Sequence, residues 1–404
     1  MNQPHRERLG SQKPPFQWLA TKPNCLHVRL DKLVNSQLTF TTDCTEKPSD
    51  QSIDGKRTMI EDDNVQPTSY EILAADNPAG ILKVLVAMKV CEANETITGV
   101  SKAGEGNMNL VLRVTTDRQS LIVKQARPWV EKYPEIAASD KRILSEIEFY
   151  RCISGTSAVH ATMPSILAHD VQQRIMVLED LGTASDYSSL YEAKTDAAEV
   201  NSVFQQAIDW VTQLHEIDLT EEHNVGCTPL LQLNHEHIFS IPLNDPPEVD
   251  LDLVCSGLAK ASRSLCSDDS VRSAMESLGK VYLKGGGPLL HGDYYPGSWL
   301  KTDFGFRVID PEFCFCGPRE YDLGVLAAHW IFCGGKADDT TIDHVCTDRS
   351  SNGSTEISRP LVFGFAGAEL IRRLIGVGQL PLNADLSRRV EWLDCGVQFL
   401  RKYT

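Results

Sequence analysis

The chain has 404 residues, 42% of them hydrophobic and 23% charged, enough for a packed core in two domains or in one fold with two lobes. Its net charge of −16 argues against broad DNA or RNA binding, although one locally positive nucleotide pocket remains compatible with it. The 12 cysteines include no CxxC pair, no signal-peptide core follows the start, and no apolar run approaches the about 20 residues of a membrane helix. These features read as a reduced, cytoplasmic protein with no membrane partner, its cysteines mostly small core residues.

Residues 1–67 carry polar, turn-forming runs such as TTDCTEKPSDQSIDGKR and no sustained period, so a disordered or loosely packed extension is expected there. Helix-like spacing begins with SYEILAADNPAGILKVLVAMK (69–89). Strand-like runs follow at ETITGVSKA (95–103), NLVLRV (109–114) and SLIVKQA (120–126), the last two joined through TTDRQ as a hairpin. SDKRILSEIEFYRCIS (139–154) has apolar residues at helical spacing, with Ser139 and Asp140 as candidate caps. RIMVLEDLG (174–182) reads as a buried strand running into a connector. The stretch 198–290 is mainly helical, including FQQAIDWVTQLHEI (204–217); strand, turn and strand occupy 298–310, and the tail from 320 is helical again. This order predicts an α+β fold of two lobes, a small β-rich N-lobe over 68–182 and a larger, mainly helical C-lobe over 183–404 built around a catalytic hairpin. It is a kinase-like arrangement, since strands and helices do not alternate as in a doubly wound sheet.

In AGEGNMN (103–109), Gly104 and Gly106 lie between two strands, where main-chain N–H groups can approach phosphate oxygens; turn geometry alone also explains glycines there. No GxxxxGK[ST] sequence occurs, which disfavours a P-loop enzyme. Lys124 shares a strand face with Ile122, opposite Leu121 and Val123. It can pair with nucleotide phosphates, or it can be a surface lysine on an edge strand. Glu146 on the next helix is its preferred ion-pair partner; Glu148, two residues on, points elsewhere.

The segment LLHGDYYPGSWLKTDFGFRVIDPEFCFCG (289–317) offers two acidic motifs for a metal. Asp303-Phe304-Gly305 copies the spelling of the protein-kinase metal motif but falls between two strand-like runs, where Asp and Gly are turn residues. Asp310 closes the second strand and returns beside His291-Gly292-Asp293. Asp310 and Glu312, one residue apart in extended chain, lie on the same side and suit oxygen coordination of Mg²⁺. Asp293 is then the residue that accepts or orients the proton of a substrate hydroxyl. His291 is expected to hold the loop rather than take part. Cys314 and Cys316 lack a second ligand pair and read as core residues.

The set AGEGNMN, IVKQA, VLEDLG, HGDxxxGS, IDPEF and GxxxYDLG resembles the methylthioribose kinase family, within the wider aminoglycoside-phosphotransferase and choline-kinase group, over residues 69–404. Most of that group carries HGDxHxxN and a lone metal aspartate; this chain has Ser298 in place of the asparagine and adds Glu312. The resemblance implies ATP and Mg²⁺ as cofactors and a small sugar as substrate, and makes a homodimer plausible. It implies that Asn107 and the backbone of Glu179, Asp180 and Leu181 hold ATP, and that Asp322 braces the catalytic loop. His215 reads as a packing or loop-bracing residue. Within AELIRRLIGVGQL (368–380), Arg372 and Arg373 resemble the paired arginines that the family places near the sugar. Consecutive helical residues point about 100° apart, so one of the two is expected to face the site. The family's Leu-His-Thr after HGD is Tyr294-Tyr295-Pro296 here, which leaves the phosphoryl-transfer groups in place and puts the acceptor in question.

The leading expectation is therefore an ATP-dependent kinase of the anomeric hydroxyl of 5-methylthioribose. The alternatives are the same chemistry on another sugar, an amino alcohol or an aminoglycoside, and a nucleotide-binding pseudokinase scaffold. The last expects loss of the lysine, the base or a metal carboxylate, and all are present.

Overall fold

The computed structural model describes residues 70–104, 108–155, 157–192, 195–219, 225–347 and 356–404. The proposed N-terminal extension and the nucleotide-binding candidates Gly106 and Asn107 lie outside these residues.

The first helix of the described residues, α1, spans Pro78–Ala87. The 69–89 segment therefore starts its helix later than its apolar spacing predicts, because Asn77 caps it through the Gly80 N–H and Pro78 stands at the first turn. Ile81, Val84 and Leu85 form its buried face. That face packs on one side of a five-stranded antiparallel sheet made of β1 (Ile97–Lys102), β2 (Leu110–Thr116), β3 (Ser120–Gln125), β4 (Ile166–Asp170) and β5 (Ile175–Glu179), in the order β1-β2-β3-β5-β4. Side chains alternate along β2, so Leu110, Leu112 and Val114 join α1 together with Leu121, Val123, Ile175 and Val177. The other side of the sheet turns Ile122, Met176 and Leu178 to the main core.

Helix α2 (Arg142–Ile153) follows the first three strands. Neither Ser139 nor Asp140 caps it: Lys141 occupies the N-cap without a side-chain bond, and Ser139 accepts from the Lys141 N–H instead. The second lobe is built on α3 (Ala197–His215), α4 (Asp269–Lys284), α5 (Glu320–Phe332), α6 (Arg359–Ile375) and α7 (Leu386–Tyr403). Every residue of α5 is buried, and α6 packs against both α5 and α7. The α6–α7 approach is close enough that a Cβ on Gly367 would sit 2.6 Å from the Gly396 carbonyl oxygen. The β-sheet lobe and the helical lobe together make the α+β, protein-kinase-like fold that the element order predicts.

Two short pairings position the loops between the lobes. Leu289–Leu290 pairs antiparallel with Phe315–Cys316, so the chain leaves as HGD and returns after DPE at the same place. Between them β6 (Trp299–Thr302) and β7 (Gly305–Val308) form a hairpin in which Thr302 opposes Gly305. Asp303 and Phe304 are therefore the two turn residues; Asp303 is exposed and Phe304 is 76% exposed. No described helix is long and apolar enough to cross a membrane. The described cysteines are free, and half of them are buried.

Candidate active site

Lys124 stands on β3 between Val111 of β2 and Met176 of β5, on the sheet face opposite α1, and is only 3% exposed. Its Nζ lies 2.7 Å from Glu146 Oε2 and also ion-pairs with Asp310. Burial alone would pull its pKa down, but the carboxylates of Asp310, Glu146 and Glu312 outweigh that and hold it above the ordinary lysine value. Glu312 is pushed well above the usual carboxylate range by burial and by neighbouring Asp310. Asp310 adopts a left-handed backbone, φ 66°, a strained conformation for a non-glycine residue that costs about 1–3 kcal/mol and clusters at functional sites. Glu148 turns to Arg151 at 3.0 Å.

Asp310 and Glu312 are the two oxygen donors this arrangement offers to a metal. Among the described residues no group of three or more His, Cys, Asp or Glu side chains is arranged to hold an ion. That donor set does not make an all-protein cage. It fits Mg²⁺, which is usually held by one or two carboxylates, with phosphate oxygens and water completing the octahedron.

Asp322 at the start of α5 organises the HGD loop. Its Oδ2 accepts from the His291 N–H at 2.9 Å and lies 3.2 Å from His215 Nε2, and its Oδ1 accepts from the Gly292 N–H at 3.1 Å. His291 Nε2 lies 3.0 Å from the Ile309 carbonyl oxygen, which ties the HGD loop to the residue before Asp310. Gly292 has φ 85°, and a Cβ there would fall 2.0 Å from the Phe313 carbonyl oxygen, so only glycine lets the two loops meet. Ser298 Oγ donates to the Asp293 carbonyl oxygen at 2.8 Å.

Asp293 Oδ1 accepts from Arg373 Nη2 at 2.9 Å and Arg372 Nη2 at 3.3 Å. The expectation that one arginine faces the site is thus corrected: both do, and neither belongs to a solvated face, at 7% and 6% exposure. The 100° step separates their Cα–Cβ directions, and two long side chains converge again at their tips. Glu369, one turn earlier on α6, receives both Nε groups, from Arg373 at 2.8 Å and from Arg372. Burial would push Glu369 up, but the two arginines hold it well below the usual carboxylate range. His329 lies 3.0 Å from Glu369 through Nε2 and 2.6 Å from the Tyr191 hydroxyl through Nδ1. Burial lowers its pKa to about 4, so it is neutral near pH 7. Facing an ionised carboxylate, Nε2 carries the proton and Nδ1 accepts from Tyr191.

Tyr294 is a packing residue: its ring stacks on Trp210 with centroids 5.1 Å apart, and its hydroxyl donates to the Ala207 carbonyl at 3.0 Å. Tyr295 instead lies on the site, its ring centroid 4.6 Å from the Arg373 guanidinium carbon and 5.1 Å from the His329 ring.

The connector candidates separate. Glu179 is exposed and accepts from the Ser165 N–H at 3.1 Å. Asp180 is occupied by Arg113 at 2.9 Å, Ser120 at 2.5 Å and the Gly182 N–H at 3.0 Å, so its side chain braces the connector and is not free for a nucleotide. Leu181 is half-buried, and Gly104 is exposed. Sequence reasoning missed Asn109, Arg142, Glu369, His329 and Tyr191. Only Arg142 and Glu369 carried a readable signal, each one helical turn from a residue already singled out.

The two-lobed fold and these two charge networks accord with a known class: the chain belongs to the phosphotransferase enzyme family, which it matches over residues 99–345. Curated relatives are more particular. Methylthioribose kinase of Exiguobacterium sibiricum is 25% identical over 337 residues, covering 73% of this chain and 83% of that protein. Methylthioribose kinase of Bacillus velezensis is 22% identical over 382 residues, covering 82% and 92%. That of a Geobacillus species is 25% identical over 358 residues, covering 79% and 86%.

Proposed function

We propose that the chain is an ATP- and Mg²⁺-dependent kinase that phosphorylates the anomeric hydroxyl of 5-methylthioribose, with residues 68–182 serving the nucleotide and residues 183–404 the acceptor. The observation that carries this reading is the tie between the HGD and DPE loops, through His291 to Ile309 and Gly292 against Phe313. It links the loop that carries Asp293, paired with its two arginines, to the loop that carries Asp310, paired with Lys124. The methylthioribose kinases among its relatives support the choice of acceptor.

In this reading the backbone of Glu179–Leu181 meets the adenine edge, and Lys124, fixed by Glu146, meets the phosphates. Bound by Asp310 and Glu312, a divalent cation would supply neutralising charge to those phosphates. Asp293 accepts or orients the proton of the acceptor hydroxyl as its oxygen bonds to the γ-phosphorus; the bond to the bridging oxygen breaks and ADP leaves. Arg372 and Arg373 steady the negative charge that develops on the transferring group. Asp322, His291 and Ser298 keep Asp293 in place.

A second reading keeps this chemistry and changes the acceptor. What favours it is Tyr295, whose ring covers Arg373 where the family's pattern has a histidine. A panel of acceptors with ATP and Mg²⁺, followed by ADP release, separates the two. Methylthioribose should give the highest kcat/KM. A higher value for another sugar, an amino alcohol or an aminoglycoside replaces the acceptor, and no release with any acceptor removes the kinase reading.

A further inference from the structure

Arg142, the first residue of α2, is fully buried and makes more contacts than an ion pair requires. Its guanidinium donates to the carbonyl oxygens of Met108 at 2.7 Å, Ser139 at 2.7 Å and Arg127 at 2.9 Å, and its Nε donates to Asn109 Oδ1 at 2.8 Å. Asn109, also buried, then donates from Nδ2 to Glu312 Oε2 at 2.7 Å, across 203 residues of sequence. The amide has one sensible orientation. Turned over, it would set Nδ2 against the guanidinium N–H and Oδ1 against the carboxylate, a donor on a donor and an acceptor on an acceptor.

One turn along the same face of α2, Glu146 holds Lys124, and Lys124 holds Asp310. Helix α2 therefore reaches both acidic residues of the DPE motif, each through one intermediate: Lys124 to Asp310, and Asn109 to Glu312.

We propose that Asn109 is a positioning residue for Glu312: held by Arg142, it fixes Oε2 and so aims Oε1 at the metal. This rests on the metal role given to Glu312 above. Outer partners of metal-ligating carboxylates act in this way, and losing one typically weakens metal affinity about 10–100-fold.

The test uses the full chain and Mn²⁺ as the probe. Free Mn²⁺ is followed by electron paramagnetic resonance, with and without a non-hydrolysable ATP analogue, in wild type, Asn109→Ala, Glu312→Gln and the double variant. Calorimetry in chelator gives the metal-free affinity for the analogue, and thermal unfolding gives stability. Asn109→Ala should weaken Mn²⁺ binding in the ternary complex by about tenfold or more and leave the metal-free affinity unchanged. The double variant should bind Mn²⁺ no more weakly than Glu312→Gln, since both changes break one relay. Wild-type Mn²⁺ affinity in Asn109→Ala overturns the proposal, as do losses that add in the double variant; either result leaves Asn109 a structural tie between the lobes. If Asn109→Ala does not fold, Asn109→Asp, which keeps an acceptor for Arg142, takes its place. Its carboxylate would push Glu312 aside, so Mn²⁺ affinity should fall despite the added negative charge, and a rise overturns the proposal. Wild-type protein that binds no Mn²⁺ even with the analogue is a distinct result: it removes the metal role of Glu312 and this proposal together.

Discussion

On the side of the site that carries Lys124, three carboxylates gather near one ammonium, and a second cation, Arg142, is linked to Glu312 through Asn109. On the side that carries Asp293, two guanidinium groups meet two carboxylates, Glu369 and Asp293, with a neutral His329 behind them. The first network has a surplus of negative charge at its rim, a condition that a divalent cation relieves. The second is balanced; in the proposed reaction Asp293 would turn to a hydroxyl proton and leave guanidinium charge free for a developing anion. Each network includes a fully buried carboxylate that ion-pairs with its cations, Glu146 with Lys124 and Glu369 with Arg372 and Arg373. Breaking such a buried pair from one side typically costs about 3–5 kcal/mol, which makes these two residues poor places to test chemistry.

The comparison breaks most cleanly at Asp293. Asp293→Asn keeps the shape and one acceptor for the arginines but removes the base, so turnover should fall about 10²–10⁴-fold while nucleotide affinity holds. Steady-state rates and nucleotide titration check this, and near-normal turnover takes Asp293 out of that role. Arg372→Ala and Arg373→Ala come next. Removing one group that stabilises transition-state charge should cost about 10²–10³-fold in kcat, again with nucleotide affinity nearly intact. Arg373→Ala should also raise KM for the acceptor, because it strips the cation from under the Tyr295 ring. A loss of thermal stability with unchanged kcat would make the pair purely structural.

Much of this plan was legible in the residues. Period-two burial marks β2, and the order of strands, one helix, a connector and many helices gives the two lobes. HGD and DPE are visible because their chemistry is local in sequence. Helix α1 starts later than its apolar spacing suggests because that spacing continues through the turn before Pro78, and α2 does without a Ser139 or Asp140 cap because Arg142, inside the helix, anchors its start to Ser139 and Arg127. The acceptor-side network was harder to see. Tyr191, His329 and Glu369 come from three separate elements, and nothing in a run such as LAAHWIF announces that its histidine will be neutral and fully buried. The convergence of Arg372 and Arg373 depends on side-chain reach, which helical angles do not contain.

The smallest expected effect sharpens the comparison as well, because it concerns the residue whose spelling points the other way. Asp303 sits in the two-residue turn between β6 and β7, exposed, beside Phe304. Around it the turn is secured without its carboxylate: Thr302 Oγ1 accepts from the Phe304 N–H at 3.1 Å and donates to the Gly305 carbonyl at 2.9 Å. Asp303→Asn should therefore shift stability by no more than about 0.5 kcal/mol and leave the Mg²⁺ requirement unchanged. Glu312→Gln keeps the volume of a buried side chain but cannot ionise to meet a cation, so the Mg²⁺ concentration for half-maximal turnover should rise by at least about tenfold. Measured side by side, the two variants decide which acidic motif serves the metal. If Asp303→Asn proves the more damaging, the surplus charge beside Lys124 has another purpose, and the contrast between the two networks has to be redrawn from the hairpin outward.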